Sequence, residues 1–283
     1  MLPVPDIWVT LHRVGSDHAA PLDSVRSDRQ GRYAFSYRRK GDRSAIYFAS
    51  ARYGGIAYFT PPLHHELVKG EEAEIAVYDT TSAELPIGVR GHHIVVSAVD
   101  ANATRSVTEV YELANDTSVT RIASGSDAAG AVWVTALPEE ASGFRVSQGD
   151  IPSSGVEFTR GRVAVFAPLA PGLAQVAFTY NLPAKAFPLR IPVLTPTQIL
   201  EVLVEEEKGL VTGARLKEQD RVVVERRSFR RFLAADVPTN EVSVIDLPPA
   251  ATRGTIDRRF LVVLTVVIGS AMILALAHAL SRG

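Results

Sequence analysis

The sequence contains no cysteine. That excludes disulfides, thiolate catalysis, zinc–thiolate sites, iron–sulfur clusters and thioether-linked haem. It does not fix the compartment, because cytosolic and exported proteins can both do without the residue. There is no G-x-S-x-G, no H-E-x-x-H and no P-loop, so the common serine-nucleophile, zinc-protease and nucleotide-binding signatures are missing. The first 20 residues lack the basic stretch and apolar run of a secretory leader. Positive charge is not in excess either. Residues 1–257 hold 27 basic and 31 acidic side chains. A body of that sign is a poor partner for polyanions, and no nucleic-acid binding is expected. Helical periodicity is absent from every 12-residue stretch before position 260.

What the chain does have is a long series of strand-like runs. Hydrophobic residues make up 46% and charged residues 22%, enough to bury a core. Alternating or β-branched runs fall at 7–14, 32–38, 44–50, 73–79, 93–99, 106–113, 118–123 and 131–136. They continue at 156–160, 162–167, 174–181, 188–194, 199–205, 221–226 and 241–246. Short strands broken by turn residues every 8–12 positions mark sandwiches or barrels. The expected fold is all-β: two or three tandem β-sandwich-like domains followed by a single C-terminal transmembrane helix. The composition places the blocks at 1–84, 85–187 and 188–247, then a Pro/Gly/Thr linker at 248–259.

Residues 260–280 read FLVVLTVVIGSAMILALAHAL, 21 residues without a formally charged side chain apart from a proton on His278. As a helix this run spans roughly 31 Å, close to a bilayer core of about 30 Å. Arg258 and Arg259 precede it and Arg282 follows it, pinning both ends in headgroups. Ala271, Ala275 and Ala279 form one small-residue face, and Thr265 and Gly269 form another small pair four apart. Small residues admit a neighbouring helix, although alanine is also common in any such span. Membrane lipid and other membrane protein subunits are the expected partners.

Within the first block, Ser27-Asp28-Arg29-Gln30-Gly31-Arg32-Tyr33-Ala34-Phe35 follows a strand of the type V-x-L. Asp28 can cap a turn, Gly31 supplies a conformation that other residues resist, and Tyr33 and Phe35 fall on one face of the next strand. This stretch resembles the transthyretin-like, carboxypeptidase-regulatory-like β-sandwich domain, with Ser27 where that family usually has Thr. The resemblance covers about the first 80 residues and implies a non-catalytic module of exported proteins, used in adhesion, spacing or assembly. The family usually places one more strand upstream, which suggests a natural chain that begins earlier.

Sidedness is read two ways. The missing leader and the more basic flank before the helix favour a tail-anchored body in the cytoplasm. The family resemblance favours a periplasmic body, and that is the expectation carried forward.

Side chains that could carry chemistry are few. Seven histidines occur, at positions 12, 18, 64, 65, 92, 93 and 278. His64-His65-Glu66 and His92-His93 look metal-like, but neighbours on a strand face opposite ways, so each pair offers one inward ligand. No catalytic, cofactor or metal residue is assigned. Glu205-Glu206-Glu207 reads as a solvated turn. Arg226, Arg227, Phe229, Arg230, Arg231 and Phe232 form the one concentrated charge feature. It is either a docking patch for an acidic partner or headgroups, or a strand with solvated Arg and core Phe. The expected function is a structural or assembly subunit of a larger membrane complex. A photosynthetic reaction centre with its antenna, or a respiratory complex, would suit such a subunit. The alternative is a tethered ligand-binding or sensing protein with a concave, aromatic-lined site for carbohydrate or peptide.

Overall fold

The computed structural model describes residues 2–63, 68–224 and 226–249. Strands account for 50% of the chain and helical turns for 4%, so the chain is mostly β, as expected. Two compact units form, one from residues up to 81 with 118–120, the other from 82–117 and 121 onward.

The first unit is built on an antiparallel sheet of β1 (Trp8–Val14), β2 (Ala19–Arg26), β3 (Ile46–Tyr53) and β4 (Ile56–Phe59), in the order β2-β1-β3-β4. The period of two decides its faces. Val9, Leu11, Tyr47, Ala49 and Ala51 are buried on one side. Two flanking segments cover that side. Tyr33, Phe35 and Tyr37 come from 32–38, and Ile75 and Val77 from 74–77. Both segments were expected as strands. They keep the inward packing but join no ladder among the described residues. The Asp28 turn forms as the residues dictate. The Asp28 carboxylate accepts the backbone N–H groups of Gln30 and Arg32 at 2.8 Å each. Gly31 sits at φ +71, and a Cβ there would lie 3.0 Å from Pro3. Edge strand β2 had read as a loop because it is exposed and carries Pro21, which sits at a register shift against His12.

The two-residue strands β5 (Thr80–Thr81) and β8 (Thr120–Arg121) pair with each other. The second unit contains β6 (Gly88–Val96), β7 (Thr104–Asn115), β9 (Trp133–Ala136), β10 (Ser142–Val146), β11 (Val156–Thr159) and β12 (Arg162–Val165). It continues with β13 (Gly172–Pro183), β14 (Leu189–Pro192), β15 (Thr197–Val204), β16 (Leu210–Gly213), β17 (Lys217–Val224), β18 (Arg227–Val237) and β19 (Val242–Asp246). Seven of these strands make one sheet, β10-β13-β7-β6-β15-β18-β17. The three-stranded sheets β11-β12-β9 and β14-β19-β16 share its main hydrophobic core. The result is sandwich-like. Val107, Tyr111 and Leu113 of β7 and Val176, Phe178 and Tyr180 of β13 point into that core, meeting Trp133, Val163, Ile191 and Ile245.

The boundary expected at 187/188 falls inside this unit. β15 pairs in parallel with β6, from Thr197↔Val89 to Val204↔Val96, so strands from both expected blocks lie side by side. Sequence reading separated them because a parallel partner comes from a distant part of the chain and leaves no local signal. Among the described residues no helix is long and apolar enough to cross a membrane. The expected anchor at 260–280, with its flanks Arg258, Arg259 and Arg282 and its small-residue positions, lies outside the described residues, as do linker residues 250–259.

Candidate functional site

The arginine-rich segment is a strand, and its alternation divides the expected patch between two faces. Arg226 occupies the turn before β18 at φ +66. Arg227, Phe229 and Arg231 fall on one face of β18, and Arg230 and Phe232 on the other. Phe229 is fully buried with Val95, Leu203 and Val224, while Phe232 lies in the main core. Burial of each ring stabilises the unit by about 2 kcal/mol. Arg227, Arg230 and Arg231 meet acids from neighbouring strands and turns, while Arg226 is exposed. The Arg227 guanidinium holds Glu205, with Nε 2.7 Å from Oε1. Arg230 forks onto Glu218 at 2.8 and 3.0 Å and reaches the Gly209 carbonyl at 2.8 Å. Arg231 meets Glu201 at 2.5 Å. Glu207 pairs with Arg221 at 2.7 Å, and Glu206 is buried against Arg105. The solvated reading holds for Glu207, which is exposed, and is corrected for Glu205 and Glu206, which are drawn in as counter-ions of Arg227 and Arg105. A cation paired in this way has little left to offer an acidic partner or a headgroup.

His92 and His93 point to opposite sides of β6, as the strand period requires. His92 joins a closed polar cluster in the main core. Its Nε2 lies 2.8 Å from Glu109 Oε2, and its ring stacks on Tyr111 at 3.9 Å. The Tyr111 hydroxyl donates to the same carboxylate oxygen at 2.9 Å. The Tyr180 hydroxyl donates to Oε1 at 2.7 Å. Thr135 completes the set, 3.2 Å from the Tyr111 hydroxyl. All five side chains are buried. Burial, and then the Glu109 charge, push both tyrosine hydroxyls well above the ordinary range. Sequence reading missed Glu109 and the two tyrosines as a group. The available signal was an acid at the inward parity of β7, in register with Val107, Tyr111 and Leu113.

His93 lies on the opposite face, its Nδ1 2.6 Å from Glu201 Oε2. Burial alone would raise the Glu201 carboxyl, but the His93 hydrogen bond and charge, with Arg231, bring it below the ordinary value. Nearby Glu112 is half-buried, and burial leaves its carboxyl above the ordinary value despite opposition from His93. A group that binds its proton more tightly when folded costs stability as pH rises through that window. Glu112→Gln should therefore raise the melting temperature at pH 7, with the gain gone below the unfolded glutamate pKa of about 4.3. Thermal unfolding of both proteins at pH 7 and at acid pH checks this. His64 and His65 lie outside the described residues, and among those described no group of three metal-ligating side chains converges.

The first unit's sheet leaves its outward face open. Trp8 and Val14 of β1, Ile46 of β3 and Phe59 of β4 share that face and are between 43% and 56% exposed. His12 stacks on Phe48 at 5.0 Å and sits 2.8 Å from the Ser50 hydroxyl, and Arg26 lies over the Trp8 ring at 4.8 Å. The inner side holds a cleft of about 610 Å³ lined by Ile7, Val9, Ala51, Ile75 and Val77, with Tyr33 its one aromatic side chain.

No protein-family model matches this sequence, and no curated protein is significantly similar to it.

Proposed function

We propose that the chain is a structural subunit, held at a membrane by residues 260–280 and using its β units to dock onto a larger membrane assembly. The uncharged run of 21 residues bracketed by Arg258, Arg259 and Arg282 carries this reading, because a bilayer is the environment that run matches in both length and polarity. The open face of the first unit supports docking: aromatic and aliphatic side chains gathered on one sheet face mark a contact surface. A structural role is supported by how the second unit's buried polar groups are arranged. The Glu109 carboxylate faces three donors on β6, β7 and β13, an arrangement that ties strands together. In the same reading the first unit is a transthyretin-like module, supported by its Asp28–Gly31 turn, and the body faces the periplasm.

Alkaline carbonate extraction tests the tether. The full chain is expected in the membrane pellet, and a variant lacking residues 260–280 in the supernatant. A full chain released with the soluble proteins would end the proposal.

A further inference from the structure

We infer that the first unit accepts an extended strand from another polypeptide, laid into the cleft between residues 31–33 and 73–77. The inference stands on the cleft itself and does not require the membrane tether.

Every extended segment must place its main-chain donors and acceptors somewhere. In the first unit two segments have not done so. None of the N–H and C=O groups of residues 33–38 or 75–77 has a backbone partner among the described residues. Yet both segments pack as strands do. Tyr33, Phe35 and Tyr37 turn inward while Arg32, Ala34, Ser36 and Arg38 are exposed, and Ile75 and Val77 reach the same core. The cleft is therefore bordered by apolar side chains and by unused main-chain edges, the combination that recruits an added strand.

The size agrees. A strand residue in a packed sheet occupies about 160 Å³, from a rise of about 3.3 Å, a strand spacing of about 4.8 Å and a sheet spacing of about 10 Å. The 610 Å³ cleft then holds about four residues. Its lining selects apolar side chains at alternate positions. At its rim Glu74 is exposed, while the Arg32 guanidinium is already held by Asp28 at 2.9 Å, so the cleft selects through its apolar lining and its main-chain edges rather than through charge. A small apolar ligand would fill the space but leave both backbone edges unpaired.

The test is amide hydrogen exchange of the full chain in detergent, with and without the end-blocked peptide Glu-Val-Thr-Val-Thr-Val-Lys. At ten times the dissociation constant, bound peptide should slow exchange at Tyr33, Ile75 or Val77 by about tenfold. The same peptide with its central valine replaced by proline, which cannot donate to a ladder, should not. Equal protection by both peptides would overturn the inference and leave only an apolar binding cleft. Unchanged exchange at saturating peptide would overturn it as well. Protection that grows with protein concentration in the absence of peptide would overturn it in favour of a second copy of the chain.

Discussion

Glu109→Ala should destabilise the second unit by about 3–5 kcal/mol, the range for removing one partner of a buried charge-bearing pair. The substitution leaves His92 and the hydroxyls of Tyr111 and Tyr180 without their acceptor, inside a core that water does not reach. Each unsatisfied buried donor costs about 1–3 kcal/mol. The small alanine also leaves a void beside Tyr111, whose ring contacts His92, Trp133 and Phe178. For a unit of this size the melting temperature should fall by roughly 10 °C or more. Glu109→Gln keeps one acceptor oxygen but turns an amide N–H₂ toward donors, so it should fall between alanine and the parent. The informative control removes the donors too. Glu109→Leu combined with His92→Phe, Tyr111→Phe and Tyr180→Phe should recover much of the loss, because an apolar set of similar shape carries no unpaired group. A melting temperature for Glu109→Ala within about 2 °C of the parent would show that the cluster contributes little.

Arg105→Ala should cost a similar amount for a different reason. Its guanidinium is fully buried and donates to the Ser97 carbonyl at 2.9 Å, to Glu206 at 3.1 Å and to the Pro248 carbonyl at 2.7 Å. It also lies 5.5 Å from the Phe187 ring centroid. Burial lowers its pKa, with Glu206 working against that fall, and its Nε has no partner among the described residues. The residue therefore ties together β7, the turn after β15 and the end of the described chain. Removing it leaves Glu206 buried without its cation and frees two carbonyls, about 3–5 kcal/mol in all. Arg105→Lys should recover only part, because an ammonium cannot fork onto three acceptors in a plane. Amide exchange at Asp246 and Leu247 should rise in the alanine variant before the rest of the unit opens. Unchanged exchange there would contradict the role assigned to the Pro248 contact.

Both residues show where sequence reading stopped. Strands with alternation or β-branched runs, such as β1, β7, β13 and β15, were legible because a half-buried strand writes its period into the sequence. Strands β2, β4, β10 and β16 were not, being short, exposed or interrupted by Pro and Gly. Glu109, Glu201 and Arg105 were passed over because a charge usually signals solvent, and only its parity against the neighbouring apolar residues reveals otherwise. The choice between a docking patch and an ordinary strand was open for the arginines of β18, because their acids lie on other strands or turns, 12 to 30 positions away. The reverse error occurred at 32–38 and 73–79, where the inward packing is real but the partners that would complete a ladder are not among the described residues.

The proposed role turns on whether this chain exists in its membrane as part of something larger. Extraction of native membranes in mild detergent, separation on a native gel and mass spectrometry of the band that contains this chain measures that directly. Co-migration with a fixed set of other membrane proteins, well above the 30.6 kDa of one chain, is the predicted result. Migration as a free monomer would contradict the assembly role.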